Sequence, residues 1–235
     1  MPDRTVSPPL PEGPTMEAGT WVWKARLGDV EVRFTGRGPE GERAEVLGRI
    51  EPSAPPLAWA KQIHSATVLQ AHPGFCGEGD ALVTEEAGLA LSVITADCVP
   101  VLVAGPHGLA AIHAGWRGIV GGIIPAALER MAGRPQEWTA WIGPTIGACC
   151  YEVGEDVASP VVAASGPEVA VPGPAGKPHL DLQKAARIQL ERFGVGQVAV
   201  LARCTRCDEE TLWSYRREGK GAGRNLGLIW RQPNS

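Results

Sequence analysis

Residues Leu91–Gly122, "LSVITADCVPVLVAGPHGLAAIHAGWRGIVGG", decide the reading of the fold. The apolar runs "LALSVIT", "VPVLVA" and "LAAIHA" are short and bounded by Asp, Pro or Gly, as expected of buried strands. Two soft, titratable groups interrupt them: Cys98 at the turn between two strands and His113 near the end of the next. A glycine-rich turn follows at once. Small residues beside a thiol and an imidazole leave room for a ligand.

Reading outward, Ile119, Val120, Ile123, Ile124, Ala127, Leu128 and Met131 recur on one helical face, and Gly133 is a natural stop. "EWTAWIG" reads as the next strand, which makes a strand–helix–strand unit. A second helix is predicted from an Asp181 N-cap to Phe193, closed by Gly194, with "QVAVLA" and "NLGLIW" as later strands. Upstream, "WVWKARL" and "VEVRFTG" flank Gly28-Asp29 as a hairpin, and "APPLAWAKQIHSATVLQAH" reads as a loop entering a strand near Ser65–Ala71. Residues 1–20, rich in Pro and Gly, read as a flexible segment. Residues 21–235 read as one α/β domain, a layered α-β-α arrangement with mixed β-sheets.

At 235 residues the chain can bury a core without disulfides, and its six cysteines read as thiols or metal ligands. A net charge of -4 argues against a nucleic-acid partner. The N-terminus lacks a signal-type apolar core and no run reaches bilayer length, so a cytoplasmic protein without membrane contact is expected.

Five histidines are available, and His64 and His113 stand at or near strand ends beside small residues. With Cys98 they form a set suited to zinc: borderline-soft nitrogen and sulfur donors, three in number, leaving one position open. From spacing alone, a core cysteine and a hydrogen-bonded strand histidine explain the same residues. In "HAGWRGIVGG", Gly115 and Gly118 allow close backbone approach. Arg117 at a helix start could bind an anion such as phosphate, or the glycines could merely pack helix on sheet. "IGPTIGACCYEVG" holds adjacent Cys149 and Cys150, read as free thiols, and Tyr151, which could stack on a ligand ring. Cys204 and Cys207 make a CxxC without the second CxxC of a zinc ribbon. Arg216, Arg217 and Arg224 form a positive cluster nearby, either a phosphate site or a solvated face.

Taken together, "KQIHS", "GDALVT", "LALSVITADCVPVLV", "AAIHAGWRG", "IGPTIGACCYEVG" and "SYRREG" with its later "GR" resemble the laccase-domain, or multicopper polyphenol oxidoreductase, family of YfiH-like proteins. The family includes purine nucleoside phosphorylases of the FAMIN type. The resemblance implies a single zinc, with copper the other candidate, on His64, Cys98 and His113. It places Arg37 of "FTGR" near the substrate; Cys98, His113 and Arg37 are then the expected catalytic residues, and Arg117 and Gly115, from the glycine turn read above, the expected substrate-binding ones. It further implies that purine nucleosides (adenosine, inosine, guanosine, methylthioadenosine) and phosphate are the partners, giving base and ribose-1-phosphate, with adenosine deamination as a companion activity. The segment after Arg37 is shortened to "GPEGERAEVLGRI", and Ala148 stands where the family carries proline.

Other readings compete. A metal-free hydrolase would use Cys98 as nucleophile and His113 as base, and would not need His64. Copper-dependent phenol oxidation would require more histidines than five. The usual zinc-deaminase signature, H-x-E with P-C-x-x-C, is missing. A non-enzymatic thiol-rich scaffold would tolerate Cys98→Ala unchanged.

Overall fold

Period-two alternation turns the central stretch into strands that are buried on both faces. In β9 (Val99–Gly105), Val99, Val101 and Val103 face one core while Leu102 and Ala104 face another. The next strand, β10 (Gly108–Ala114), repeats the pattern: Ala110, Ile112 and Ala114 face one way, Leu109 and Ala111 the other. Strands covered on both sides need apolar residues at every position, hence the unbroken runs.

The computed structural model describes residues 8–174 and 176–233. A seven-stranded mixed sheet has the order β1 (Glu12–Glu17), β2 (Thr20–Leu27), β3 (Val30–Thr35), β15 (Asn225–Arg231), β8 (Ala90–Thr95), β4 (Leu57–Lys61), β6 (Gly74–Glu78). A six-stranded mixed sheet has the order β14 (Gln197–Val200), β11 (Thr139–Ile142), β9, β10, β7 (Ala81–Thr84), β5 (Val68–Gln70). The two stack through Trp23, Phe34, Leu91, Leu102, Trp141 and Ile229. A small ribbon joins β12 (Ala170–Pro172) to β13 (Pro178–Leu180).

Helices α2 (Trp116–Gly121), α3 (Ile123–Leu128), α4 (Glu155–Ser165) and α5 (Leu182–Phe193) pack on the outer face of the six-stranded sheet. Helix α1 (Arg43–Ile50) covers the other sheet with Val46, Leu47 and Ile50. A single turn, α6 (Tyr215–Glu218), precedes β15. The layered α/β class read from the sequence is present, with two stacked sheets between the helices.

Some elements depart from the sequence reading. Within the segment expected to be flexible over 1–20, Glu12–Glu17 form β1, paired to β2, whose edge offers unpaired backbone groups. The Trp141 indole also donates to the Pro9 carbonyl at 2.9 Å; the first seven residues lie outside those described. The single helix expected after "GWRG" is two short ones. Gly122, at φ +78, caps α2 in the left-handed conformation and starts α3. Ile119, Ile123, Ile124 and Leu128 stay buried, whereas Val120 is exposed. The shortened segment after Arg37, for which the sequence reading offered no element, forms α1, whose Glu42 and Glu45 make a capping box. Helix α5 agrees with its prediction: Asp181 accepts from the Lys184 amide at 2.8 Å, and Gly194 closes it at φ +98.

Candidate metal and active site

Three connections cross from the seven-stranded to the six-stranded sheet: β4 to β5, β6 to β7 and β8 to β9. Because β4, β6 and β8 run parallel, all three crossings lie at one end. His64 sits on the first, Asp80 on the second, Asp97 and Cys98 on the third, while β10 delivers His113 to the same end beside Ala81. Both ligand-bearing loops hold a non-glycine residue at positive φ, His64 at +60 and Asp97 at +96. Such conformations cost about 1–3 kcal/mol each and persist only where neighbours enforce them.

Asp80 enforces the one at His64. Its carboxylate is 1% exposed. Oδ1 accepts from the His64 amide at 2.9 Å and from His113 Nδ1 at 2.8 Å. Oδ2 accepts from the Ser65 amide at 2.7 Å, the Ser65 hydroxyl at 2.8 Å and the Ile63 amide at 3.3 Å. Burial alone would push this carboxyl up, but the bonds from His113 and Ser65 prevail and hold it at about 2. With Nδ1 engaged, His113 is left with Nε2 for chemistry.

The result is a closed trio. One ligand atom from each of His64, Cys98 and His113 lies within 4.8 Å of the others, and Cys98 Sγ is 3.9 Å from His64 Nε2. The two imidazoles meet edge to face with centroids 4.9 Å apart. His113 is buried, Cys98 half-buried and His64 exposed, so the trio is reached from solvent on one side. Burial raises the Cys98 thiol, yet hydrogen bonds from His113 and His64 bring it down to about 6. Burial lowers the His113 imidazole, yet Asp80 and Cys98 lift it to about 9. Such a site favours an anionic sulfur.

Gly115 follows directly. A Cβ there would stand 3.1 Å from both Cys98 Sγ and His64 Cδ2, so any side chain at this position would force one of the two ligands to shift beneath α2. Helix α2 has six residues, too short for the strong N-terminal dipole that the single longer helix implied. Arg117 lies over the Trp116 ring at 4.4 Å. Tyr151 is half-buried within electrostatic reach of Cys98, Asp97, Arg216 and Arg117; burial first, then Cys98, pushes its phenol up to about 12. Arg216 lies over the Tyr151 ring at 5.2 Å. Asp97 accepts from the Arg216 amide at 2.6 Å and the Thr205 hydroxyl at 2.5 Å, so it ties the loops of the site together.

Arg37 is placed differently. Its guanidinium donates to the Leu212 carbonyl at 3.1 Å, pairs with Glu218 and stacks on Trp213 at 4.1 Å, and none of these contacts reaches the trio. Arg217 is likewise spent on the carbonyls of Thr205, Arg206 and Leu212. Arg224 donates to the carbonyls of Ala222 and Gly223 and borders a separate cavity of about 700 Å³ that includes none of the trio. Sequence reasoning missed Asp80, since one aspartate ahead of "ALVT" looks like an ordinary turn residue.

The donor chemistry fits a metal ion: two imidazoles and a thiolate in mutual reach, one imidazole oriented by a buried carboxylate. Among the described residues no fourth His, Cys, Asp or Glu joins the group.

Stacked mixed sheets with this crossing end define a class seen in solved structures. The chain superposes on a Neisseria meningitidis protein, NMB0706, with a TM-score of 0.80 at 31% identity, over 90% of this chain and 99% of that one. YlmD from Geobacillus stearothermophilus also gives 0.80, at 27% identity, over 96% and 100%. The sequence is 41% identical over 193 residues to a Deinococcus radiodurans protein named purine nucleoside phosphorylase, covering 80% of this chain and 75% of that one. It is 36% identical over 184 residues to Escherichia coli purine nucleoside phosphorylase YfiH, covering 76% and 74%. The chain belongs to the family described as multi-copper polyphenol oxidoreductase laccase, whose sequence pattern matches residues 40–232. No helix among the described residues is long and apolar enough to cross a membrane.

Proposed function

We propose that the protein is a zinc-dependent purine nucleoside phosphorylase, cleaving adenosine, inosine, guanosine and methylthioadenosine with phosphate, and deaminating adenosine as a lesser activity. The observation that carries this reading is the closure of His64, Cys98 and His113 beside Tyr151 and two arginines. The names of the relatives support it. His64, Cys98 and His113 would hold the zinc, which when bound supplies Lewis acidity toward an oxygen of phosphate or substrate.

This chain's own residues do the rest. Asp80 fixes the His113 tautomer so that Nε2 faces inward. Arg216 and Arg117 supply cationic donors for phosphate, and the Tyr151 face offers a stacking surface for a purine. A phosphate oxygen bonds to C1′ as the glycosidic bond breaks. Its electron pair passes to the base nitrogen, which takes up a proton. Arg37 is a positioning residue in this scheme: through Glu218 and Leu212 it anchors α6, and so Arg216.

One observation favours a second reading. Cys98, His113 and Asp80 also have the order of nucleophile, base and orienting carboxylate found in cysteine hydrolases. That mechanism has no use for His64 or a metal.

Adenosine incubated with and without phosphate, with products separated by chromatography, tests the proposal. Adenine and ribose-1-phosphate formed only with phosphate bear it out. Inosine alone restricts the activity to deamination. No turnover of any nucleoside, beside oxidation of a phenol by copper-loaded protein, overturns it.

A further inference from the structure

Four cysteines lie outside this chemistry, and folding brings them together. The sulfurs of Cys149, Cys150, Cys204 and Cys207 all lie within 4.8 Å of one another. Cys207 Sγ is 3.3 Å from Cys150 Sγ and 3.6 Å from Cys149 Sγ, and all four thiols are free. In a tetrahedral zinc tetrathiolate, bonds of about 2.3 Å place the sulfurs roughly 3.8 Å apart. The cluster is already near those dimensions. The second pair that a CxxC requires is supplied by adjacent cysteines, a spacing that no ribbon pattern contains.

The surrounding backbone is built for the same end. The Gly147 amide donates to Cys204 Sγ at 3.3 Å, a bond that stabilises a thiolate. A Cβ on Gly147 would come within 3.3 Å of Cys149 Sγ and of Cys204 Cβ, so a side chain there would press on both cysteine-bearing loops. Thr145 and Cys204 form a parallel bridge, and the Thr205 amide donates to the Thr145 carbonyl at 2.9 Å. These contacts hold the CxxC turn against the loop bearing the vicinal pair. Cys149 and Cys207 are exposed, which gives an ion a way in.

We propose that Cys149, Cys150, Cys204 and Cys207 bind a second zinc ion, as a structural tetrathiolate separate from the His64–Cys98–His113 site. Binding replaces four thiol protons by four zinc–sulfur bonds and releases the protons to solvent, with no change of oxidation state. The ion staples two loops that frame the active site: Cys150 precedes Tyr151, and Thr205, inside the CxxC, holds Asp97. Its task is to keep Tyr151 and Arg216 in register.

Full-length protein expressed with zinc and purified without chelator should contain two zinc ions per chain. Cys204→Ser and the exposed-site variant Cys149→Ser should each contain one, and so should His64→Ala. Cobalt loading separates the two sites. His64→Ala should keep the intense sulfur-to-cobalt absorption of a tetrathiolate, and Cys204→Ser should lose it. Failure of the catalytic zinc would leave the His64→Ala spectrum unaltered, so the two proposals fall independently. The inference is overturned if the native chain loses no metal on either serine substitution, or if its intact mass under non-reducing conditions shows a disulfide among these four residues.

Discussion

Asp80→Asn tests the reasoning about the site most directly, because it changes one atom of a buried carboxylate that accepts five hydrogen bonds. The amide keeps one oxygen. Placing its NH2 at the Oδ2 position would set it against the amides of Ile63 and Ser65, so the less costly placement is at Oδ1. There the His64 amide loses its acceptor, which costs about 1–3 kcal/mol for a buried donor. His113 can still pair, but only by accepting at Nδ1, which moves its proton to Nε2 and points it at the sulfur. Metal affinity should then fall about 10–100-fold, the usual consequence of losing such an orienting carboxylate. Urea unfolding of the metal-free protein and chelator competition measure the two effects separately. Acid supplies an independent check. The folded Asp80 carboxyl, at about 2, lies below its ordinary 3.8. A depressed carboxyl contributes stability that is fully present above the unfolded value and is lost as pH falls through the folded one. At about 1.4 kcal/mol per unit, the native chain should lose about 2 kcal/mol between pH 4 and 2, and the Asn variant should not. Unchanged metal affinity in Asp80→Asn, or the same acid slope in both proteins, would refute the argument.

Gly115→Ala should fold, since its φ is ordinary, but its Cβ must displace Cys98 or His64; metal content by mass spectrometry should drop well below that of the parent. Arg216→Ala should raise the KM for phosphate about tenfold, the loss of about 1.4 kcal/mol of charge-assisted bonding, with a smaller change in kcat. Asp181→Ala removes the cap of α5 and should cost about 1 kcal/mol in denaturant unfolding while leaving activity intact. Gly122→Ala forces a side chain into the left-handed joint between α2 and α3, and should lower the Tm through a loss of about 1 kcal/mol.

Local patterning determined much of this protein. The runs of Val, Leu and Ala between turn residues specify β8 to β10, and Asp181 and Gly194 bracket α5 without tertiary help. The same chemistry marked His64, Cys98 and His113 as metal-type donors, and the motifs around them tied the three together. Their actual meeting is a tertiary event: parallel strands from one sheet send three crossings to the same end of the other, which no spacing along the chain reveals. Asp80 escaped notice for that reason, since its five partners come from the loop around His64 and from β10. Arg37 shows the converse, a cation whose motif suggested chemistry but whose charge folding commits to Glu218. The four-sulfur cluster also exists only in three dimensions, because a bridge at Thr145 brings together cysteine pairs that are remote in sequence. Short-range backbone preference is written residue by residue, whereas a buried polar group acquires its role from whatever the sheets carry to it.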